Sequence, residues 1–452
     1  MFKSNRNPQF RSKFSEDIFY TKYSHEGAET FHELACTLVE DVCTTHLDKD
    51  EKEALIDHIS NLRFLPGGRY LYYAGRDKKF FNNCYLLRAE EDSREDWANL
   101  SWKSESCLMT GGGIGCDYST YRPEGQTLRS TGGISSGPIP KMMMINEIGR
   151  RVMQGGSRRS AIYASLNWKH GDIYKFLEAK NWKDMPVGST GQTIFDIKQD
   201  DFDFPAPLDM TNISVNYDTE WLLNYWKEGD VGDVFRTNVR QALSTAEPGF
   251  SFNFFEKEKE TLRNACTEVT SEDDSDVCNL GSLNFARIAD TDQLQEVVHL
   301  ATKFLLCGTL RAKLPYNKVS LVREKNRRLG LGLMGLHEWL IQRGHKYETT
   351  PLLHRWLKVY EAESDKTAKE FADELSISRP VAVRAVAPTG TIGILAGTST
   401  GVEPIFAVSY KRRYLKNRRW HYQYVIDSAA QEMIDLYDIK PESIESALDL
   451  IK

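Results

Sequence analysis

The sequence predicts an α/β fold with parallel strands. From Asn83 onward, short apolar segments typical of strands alternate with longer segments of helical periodicity. This alternation is the pattern of βαβ units, in which each helix returns the chain to the next parallel strand. The chain has 452 residues, of which 40% are hydrophobic, so it can bury a large core. No linker, repeat or low-complexity tract divides it, and we expect one large domain after an N-terminal helical region.

The individual elements follow from periodicity and turn residues. Between Ala28 and about Leu62, apolar residues recur at helical spacing up to the turn at Pro66–Gly68, which gives a helical region over residues 1–65 and a larger domain over 66–452. Strands are predicted at Cys84–Leu87, Asn212–Val215 and Val381–Ala387. Helices are predicted at Arg94–Leu108, Lys141–Met153, Asp172–Ala179, Leu294–Leu306, Leu352–Phe371 and Tyr422–Tyr437.

The composition excludes several classes of protein. The chain has 58 Lys+Arg against 64 Asp+Glu and a net charge of -6, so it has no basic field for a nucleic-acid partner. No segment is apolar over the length of a membrane span, and the polar N-terminus does not resemble a secretion signal, so we expect a cytoplasmic protein without a membrane partner. Eight cysteines are too sparse for a secreted disulfide scaffold, and their spacing predicts no metal site.

Glycine-rich segments are candidates for binding phosphate. Gly111–Gly115 and Gly132-Gly133 bracket a segment that contains Arg122, and Gly155–Ser160 follows a predicted helix. Pro388–Gly393 follows a predicted strand, where backbone N–H groups at a helix start could hold an anion. The alternative for each segment is an ordinary connection.

Gly330–Gly335 matches the GxGxxG pattern of nicotinamide-binding folds. The segment before it, Arg323–Arg328, is charged and does not read as the buried strand that a Rossmann fold requires. We therefore interpret these glycines as small residues that allow close helix packing.

A group of polar residues around a cysteine is the strongest chemical signal. Asn264, Cys266 and Glu268 alternate along the chain, so in an extended segment their side chains share one face. A carboxylate can move a proton, an amide can bind a hydroxyl, and a thiol can act as nucleophile or hydrogen-atom donor. Cys278 provides a second thiol nearby in the sequence. The alternative for any single cysteine is a buried, inert side chain.

The order of these motifs resembles the catalytic subunit of ribonucleotide reductase over about residues 65 to 410, in a compact phage-like form close to the adenosylcobalamin-dependent (class II) and class I types. The similar segments are Asn83–Tyr85, Gly111–Gly133, Gly155–Ala161, Asn264–Glu268, Cys278–Ser282 and Pro388–Ile392. The resemblance implies a ten-stranded α/β barrel. Ala265 and Thr267 stand where this family usually has Pro and Gly. The family normally continues further, so we expect the final part of its domain to be missing from these 452 residues.

The resemblance also implies a reaction, the reduction of ribonucleoside di- or triphosphates to 2′-deoxyribonucleotides for DNA synthesis. Cys266 would form a thiyl radical that removes the ribose 3′ hydrogen, with Glu268 as general base and Asn264 orienting the ribose. Cys84 and Cys278 would reduce the 2′ position and become a disulfide. An external dithiol, such as a thioredoxin- or glutaredoxin-like protein, would restore the two thiols.

Three further groups of residues are implied as nucleotide contacts. The substrate phosphates would be held by Pro388, Thr389, Gly390, Thr391 and Ile392. A deoxynucleotide or ATP effector would contact Asp92, Ser93 and Arg122. The specificity loop would comprise Gly155, Gly156, Ser157, Arg158, Arg159, Ser160 and Ala161. Because effector loops of this family often lie at a subunit interface, a homodimer is also implied.

The radical needs an initiator, because a thiol does not become a thiyl radical unaided. The resemblance favours adenosylcobalamin, and the alternative is a metal-radical cofactor on a separate small subunit. Tyr410, Tyr414, Tyr422 and Tyr424 are more typical of packing residues than of a radical relay. Two rival functions stay open: a non-catalytic nucleotide-binding module and a Rossmann-type dehydrogenase. If a phage encodes the chain, the host cytoplasm is its expected location.

Overall fold

A computed structural model describes residues 10–128, 132–152, 160–189, 191–405, 407–416, 419–427 and 430–431. Helices α1 to α15 are, in order, Lys13–Lys22, Phe31–Cys43, Lys49–Ser60, Gly68–Tyr73, Arg94–Met109, Ile139–Arg151, Ile173–Glu178, Ile194–Asp200, Thr219–Glu228, Gly232–Thr245, Thr291–Arg311, Asn317–Asn326, Leu336–Ile341, Pro351–Glu374 and Gly390–Ala396. Strands β1 to β12 are, in order, Phe64–Pro66, Cys84–Arg88, Gly113–Asp117, Ile162–Asn167, Thr211–Tyr217, Gly249–Phe252, Leu262–Arg263, Thr270–Ser271, Asp276–Asn284, Leu329–Met334, Ser409–Lys416 and Arg419–Ile426.

The chain divides into two compact units, and the first to be described contains residues 82–278 and 314–325. Strands β2 to β6 lie side by side in chain order, and each neighbouring pair is parallel. The start of β9 pairs with β2 in the antiparallel direction. Helices connect the parallel strands, which confirms the βαβ pattern predicted from the alternation of elements.

Helix α5 shows how the sequence builds this unit. Its N-cap is Ser93, whose hydroxyl accepts a hydrogen bond from the Asp96 amide at 3.1 Å. One side of the helix buries Leu100 and Leu108, which join a core formed with apolar residues of the central strands. Burying each leucine side chain stabilises the fold by about 2 kcal/mol. These contacts hold the helix on the sheet although it is rich in charged residues and its amphipathic pattern is weak.

The second unit contains residues 1–81, 279–313 and 326–452. Helices α2 and α3 begin with capping boxes at Thr30 and Asp48, and they confirm the helices predicted in the N-terminal region. In this unit the rest of β9 pairs with β1 in the antiparallel direction and with β10 in the parallel direction. The long helices α11 and α14 contribute much of the apolar core.

Two predicted elements differ from the structure. Tyr422–Ile426, predicted as helix, belongs to strand β12, which pairs with β11 along its whole length. Val381–Ala387 forms only an isolated bridge between Arg384 and Leu331, although its backbone bonds irregularly to β10. The apolar pattern therefore predicted the extended backbone near Val381 correctly, but it did not predict that the segment lacks regular strand pairing. Regular pairing depends on a partner strand that the local sequence does not specify.

The glycines of Gly330–Gly335 pack a strand rather than a helix, which corrects the interpretation above. The residues from Leu329 to Met334 form the fully buried strand β10. A Cβ atom on Gly332 would lie 2.5 Å from the carbonyl oxygen of Ala385, so only glycine fits there. Gly335 has a φ of +74° and begins α13, a conformation that favours glycine.

The described strands are fewer than the ten expected. Six belong to the main sheet of the first unit and three to the second, with β9 counted in both, so eight of the expected strands are present among the described residues.

None of the helices in the described residues is long and apolar enough to cross a lipid bilayer.

Candidate active site

Cys266 lies in the turn of a short β-hairpin. Strands β7 and β8 pair in the antiparallel direction, and the Thr267 amide donates to the Asn264 carbonyl at 3.0 Å, which closes the turn between them. Thr267 has a φ of +69° and Cys266 is exposed. The two-residue alternation that an extended segment would give does not apply over residues 264–268, because the chain reverses direction here.

Two other cysteines face each other across neighbouring strands of the same unit. Cys84 on β2 is the direct antiparallel partner of Cys278 on β9. Directly opposite residues in antiparallel strands have Cα atoms about 4.5–5.5 Å apart, which lies within the range that a disulfide needs. Both are buried and neither forms a disulfide here. The pair can therefore be oxidised with little movement of the backbone.

Asn264 connects the hairpin turn to this cysteine pair. Its side-chain N–H donates to the Cys84 sulfur at 2.9 Å, and its side-chain oxygen accepts from the Val269 amide at 3.1 Å. The side chain is buried. The amide that the sequence singled out as a hydroxyl ligand thus fixes the turn relative to Cys84.

Glu268 is a half-buried residue whose carboxylate lies close to the same thiol. Burial raises the pKa of Glu268, although a hydrogen bond from Asn264 opposes the rise. Its Oε2 atom is buried without a hydrogen-bond partner in the protein. Burial raises the pKa of Cys84 well above its usual value, and the negative charge of Glu268 raises it further. Cys84 therefore stays protonated at neutral pH, and Glu268 is a carboxylate held in readiness for a proton.

Glycines in β3 make room for the hairpin, a role that was not predicted from the sequence. A Cβ atom on Gly115 would lie 1.7 Å from the Arg263 carbonyl oxygen, and one on Gly113 would lie 3.0 Å from the Ala265 side chain. Gly113–Gly115 is therefore a strand under the hairpin, which corrects its interpretation as a phosphate-binding loop. Asn212 on β5 adds a hydrogen bond of 3.3 Å to the Ala265 carbonyl. The signal in the sequence was glycine inside an apolar strand, which marks a close backbone approach.

Comparison with known proteins identifies the family of this chain. Residues 82–192 and 215–370, more than half of the chain, match the barrel domain of ribonucleotide reductase. The chain belongs to the ribonucleotide reductase barrel family. This confirms the α/β barrel class, and the Rossmann alternative is not favoured.

Curated relatives agree with this family. The chain is 29% identical over 391 residues to a vitamin B12-dependent ribonucleoside-diphosphate reductase of Thermoplasma acidophilum, covering 80% of this chain and 50% of the relative. It is 30% identical over 400 residues to a reductase of the same name from Mycobacterium tuberculosis, covering 78% of this chain and 54% of the relative. A putative adenosylcobalamin-dependent ribonucleoside-triphosphate reductase of Mycobacterium phage D29 is 29% identical, covering 66% of this chain and 47% of the relative. The chain spans about half the length of these relatives.

The three residues that the reductase resemblance assigned to an effector lie together in the first unit. Arg122 forms an ion pair with Asp92, and a second N–H of its guanidinium donates to the Thr127 carbonyl at 3.2 Å. Ser93 is the neighbour of Asp92 in the chain and caps α5. Arg122 and Asp92 are both partly exposed. The contacts to a nucleotide stay a prediction.

The residues assigned to the substrate phosphates lie in the second unit. Thr389 has a φ of +48°, and its buried hydroxyl accepts from the Gly401 amide at 2.8 Å. Gly390 is exposed and begins α15, with Thr391 half-buried and Ile392 buried behind it. Pro388 precedes the turn and is exposed. These residues form a turn into a short helix, and their role stays a prediction.

The structure describes only part of the predicted specificity loop and of the C-terminal tyrosines. Gly155, Gly156, Ser157, Arg158 and Arg159 of the specificity loop lie outside the described residues. Ser160 is buried, and the Ala161 carbonyl accepts from Ile114 at 2.9 Å. Tyr422 and Tyr424 are 58% and 81% exposed, so the expectation that they are packing residues is wrong in the described chain. The described residues contain no group of three or more His, Cys, Asp and Glu side chains that could hold a metal ion.

Proposed function

We propose that this chain is the catalytic part of a ribonucleotide reductase that converts ribonucleoside di- or triphosphates to 2′-deoxyribonucleotides. The observation that carries the proposal is that Cys84, directly opposite Cys278, contacts the turn that holds Cys266 and the half-buried Glu268. A chain with an inert core would gain nothing from a carboxylate beside these thiols, because burying its Oε2 atom without a hydrogen bond costs free energy. The catalytic domain is proposed to span residues 66–452, after the N-terminal helical region.

The roles of the residues follow from their environments. In the proposal, the exposed Cys266 forms a thiyl radical and removes the 3′ hydrogen atom of the ribose. Glu268 takes the proton of the 3′ hydroxyl and returns it to the 3′ oxygen before the product leaves, a role that suits a half-buried carboxylate with a raised pKa. The 2′ hydroxyl leaves as water, for which Cys84 or Cys278 supplies the proton, and Cys266 receives its hydrogen atom back.

The electrons for this step come from the thiol pair. Cys84 and Cys278 each lose one hydrogen atom and form a disulfide, so one ribonucleotide and two thiols give one deoxyribonucleotide, one disulfide and one water. Burial keeps Cys84 protonated, which provides the hydrogen that the reaction consumes. An external dithiol protein of the thioredoxin or glutaredoxin class then reduces the disulfide, because the pair must cycle.

Adenosylcobalamin is the proposed radical source, supported by the vitamin B12-dependent names of the relatives above. When bound, it would supply the one-electron oxidant for Cys266. The residue fits this use because it is exposed at the tip of a hairpin instead of being buried with the other two thiols. Relatives named as alpha or large subunits keep open a metal-radical cofactor on a separate small subunit.

Regulation is proposed to depend on a deoxynucleotide or ATP effector near Asp92, Ser93 and Arg122. A guanidinium in a partly exposed ion pair can exchange its carboxylate for a phosphate, which is also negatively charged and can also accept two parallel hydrogen bonds. A homodimer and a cytoplasmic location complete the proposal. The latter is consistent with a thiol pair that must be reduced after each turnover.

The experiment that tests the function combines product formation with mapping of the disulfide. The full chain is incubated with CDP or CTP, a panel of nucleotide effectors and adenosylcobalamin, with and without a dithiol. Deoxycytidine is measured by chromatography, and the Cys84–Cys278 disulfide by mass spectrometry. Cys266→Ser removes the proposed radical site, and Cys36→Ser is the matched control because Cys36 lies in α2, far from the hairpin in the sequence.

Product that requires adenosylcobalamin and is lost only in Cys266→Ser supports the proposal. Without the dithiol, at most one product molecule per chain should form, together with the internal disulfide. Deoxycytidine formed by Cys266→Ser would overturn the thiyl mechanism. Product only after addition of a separate small subunit would replace adenosylcobalamin by the metal-radical alternative.

A further inference from the structure

Arg263 ties the turn that carries Cys266 to a strand of the main sheet. It ends β7, three residues before Cys266. Its guanidinium donates to the hydroxyl of Ser251 on β6 and to the side-chain oxygen of Asn253 at 3.1 Å. A further N–H points across the turn to the Thr267 carbonyl at 3.5 Å. One side chain therefore contacts both the fixed strand and the far side of the turn.

The acceptors of Arg263 indicate that packing alone does not explain this residue. The hydroxyl of Ser251, the amide of Asn253 and the backbone carbonyls of Phe252 and Thr267 are all uncharged. Partial burial of this cation costs free energy, which the nearby charge of Glu260 opposes, and an apolar residue of similar volume often serves stability as well or better. What an apolar residue cannot provide is a planar fork of donors that fixes several oxygens at once.

The turn itself needs an external support. Thr267 has a φ of +69°, a left-handed conformation that β-branched residues rarely adopt. A turn under such strain gains from a bond to the carbonyl of the strained residue, which is the group that Arg263 reaches. Asn264 holds the turn through Cys84, the Val269 amide and the Thr267 amide, all close to the turn itself. Arg263 adds a bond from the Thr267 carbonyl to the guanidinium that is anchored on β6.

We propose that Arg263 is a positioning residue that fixes the direction of the Cys266 thiol. The consequence for catalysis rests on the proposed function, whereas the direction of the thiol can be measured without turnover. Loss of the guanidinium should free the turn from β6 and let Cys266 sample positions that the intact protein excludes. Thr267→Gly should offset this loss, because glycine adopts the left-handed conformation without strain.

The first experiment measures the rate at which iodoacetamide alkylates Cys266 in the full chain. Mass spectrometry follows the Cys266 peptide, with the Cys36 peptide as an internal reference. In Arg263→Met we expect alkylation of Cys266 to become about tenfold faster, as for the loss of one hydrogen bond to a charged group, and that of Cys36 to stay unchanged. Arg236→Met is the matched control, because Arg236 pairs with Asp230 on the exposed surface of α10.

Rescue separates positioning from a general loss of structure. The double variant Arg263→Met/Thr267→Gly should return the Cys266 rate to within about twofold of the parent chain. In the reductase assay, Arg263→Met should lower kcat about tenfold and leave KM for the ribonucleotide within about twofold, since the substrate contacts are elsewhere. If Arg263→Met does not fold, Arg263→Lys keeps the charge without the planar fork and should show the same change in smaller size.

Folded Arg263→Met with an unchanged Cys266 rate would overturn the proposal, and so would an unchanged rate in Arg263→Lys if the methionine variant is unfolded. A chain that shows the expected alkylation change but no reductase activity would contradict the proposed function and leave the positioning role intact. An active parent chain whose Arg263→Met variant keeps its full kcat would contradict the positioning role alone.

Discussion

Gly115→Ala should distort the candidate active site, because Gly115 on β3 lies against the backbone of the hairpin that holds Cys266. The added Cβ would lie 1.7 Å from the Arg263 carbonyl oxygen and 2.8 Å from the carbonyl carbon. A carbon atom approaches a carbonyl oxygen to no closer than about 3.3 Å, so the hairpin backbone must move by about 1.6 Å. Both clashing groups are backbone, which cannot rotate away as a flexible side chain does.

The magnitude follows from this displacement. Overpacking at a rigid contact costs about 1–3 kcal/mol of unfolding free energy, and this contact lies at the severe end of that range. Cys266 follows Arg263 by three residues, so the shift reaches the thiol. A misplacement of about 1 Å can lower a catalytic rate about 100-fold, and we expect at least that loss of kcat in Gly115→Ala.

Two assays test this prediction. Chemical denaturation measures the loss of stability, and the formation of deoxycytidine measures kcat. Gly229→Ala is the control, because Gly229 ends α9 with a φ of +69° and has open space around its Cβ position. It should lose about 1 kcal/mol through backbone strain and keep its activity. A Gly115→Ala variant with the stability and the kcat of the parent chain would refute the geometry of the hairpin on β3.

Three other changes test separate features. Glu268→Gln should raise Tm at pH 7, because the raised pKa of Glu268 means that its ionised form destabilises the fold. This gain in Tm should disappear as the pH falls toward 4.5, the usual pKa of a glutamate. A gain in Tm that does not change with pH in thermal melts would contradict the prediction. The same variant should lose the acidic limb of the pH–rate profile. Cys278→Ala should abolish the internal disulfide in mass spectra with an unchanged circular dichroism spectrum, and a disulfide from Cys84 to another cysteine would argue against the pairing. Lys103→Met should cost about 3 kcal/mol in denaturant titrations, because it removes one partner from the buried Asp274 carboxylate; a loss below about 0.5 kcal/mol would show that Lys318 alone neutralises it.

The local sequence was sufficient for elements whose signals lie within a few residues. The strand at Cys84 has its own apolar run and the helix from Arg94 has its own N-cap at Ser93, so their existence could be predicted. The same reasoning failed at Tyr422, where aromatic residues at helical spacing form a hairpin strand. Aromatic side chains suit strands as well as helices, and the choice depends on whether a partner strand is present.

The order of motifs, and with it the family, was also available from the sequence. The chain alone named Asn264, Cys266 and Glu268 as a chemical group, and the structure keeps them in one turn. It could not say how this turn is held against the sheet, because the bonds of Asn264 to Cys84 and of Arg263 to Ser251 join segments far apart in the chain.

Only the tertiary structure decided which distant groups meet. Cys84 lies opposite Cys278 because β2 and β9 pair in one register, and a slip of one residue would turn one thiol to the other face of the sheet. The tertiary structure likewise places Gly115 against the backbone of the hairpin and the Arg263 guanidinium against the Ser251 hydroxyl. The sequence by itself determined the residue types and their order, since these are local. The pairings that turn those residues into a site come from contacts between segments far apart in the chain, and local propensity carries no information about such contacts.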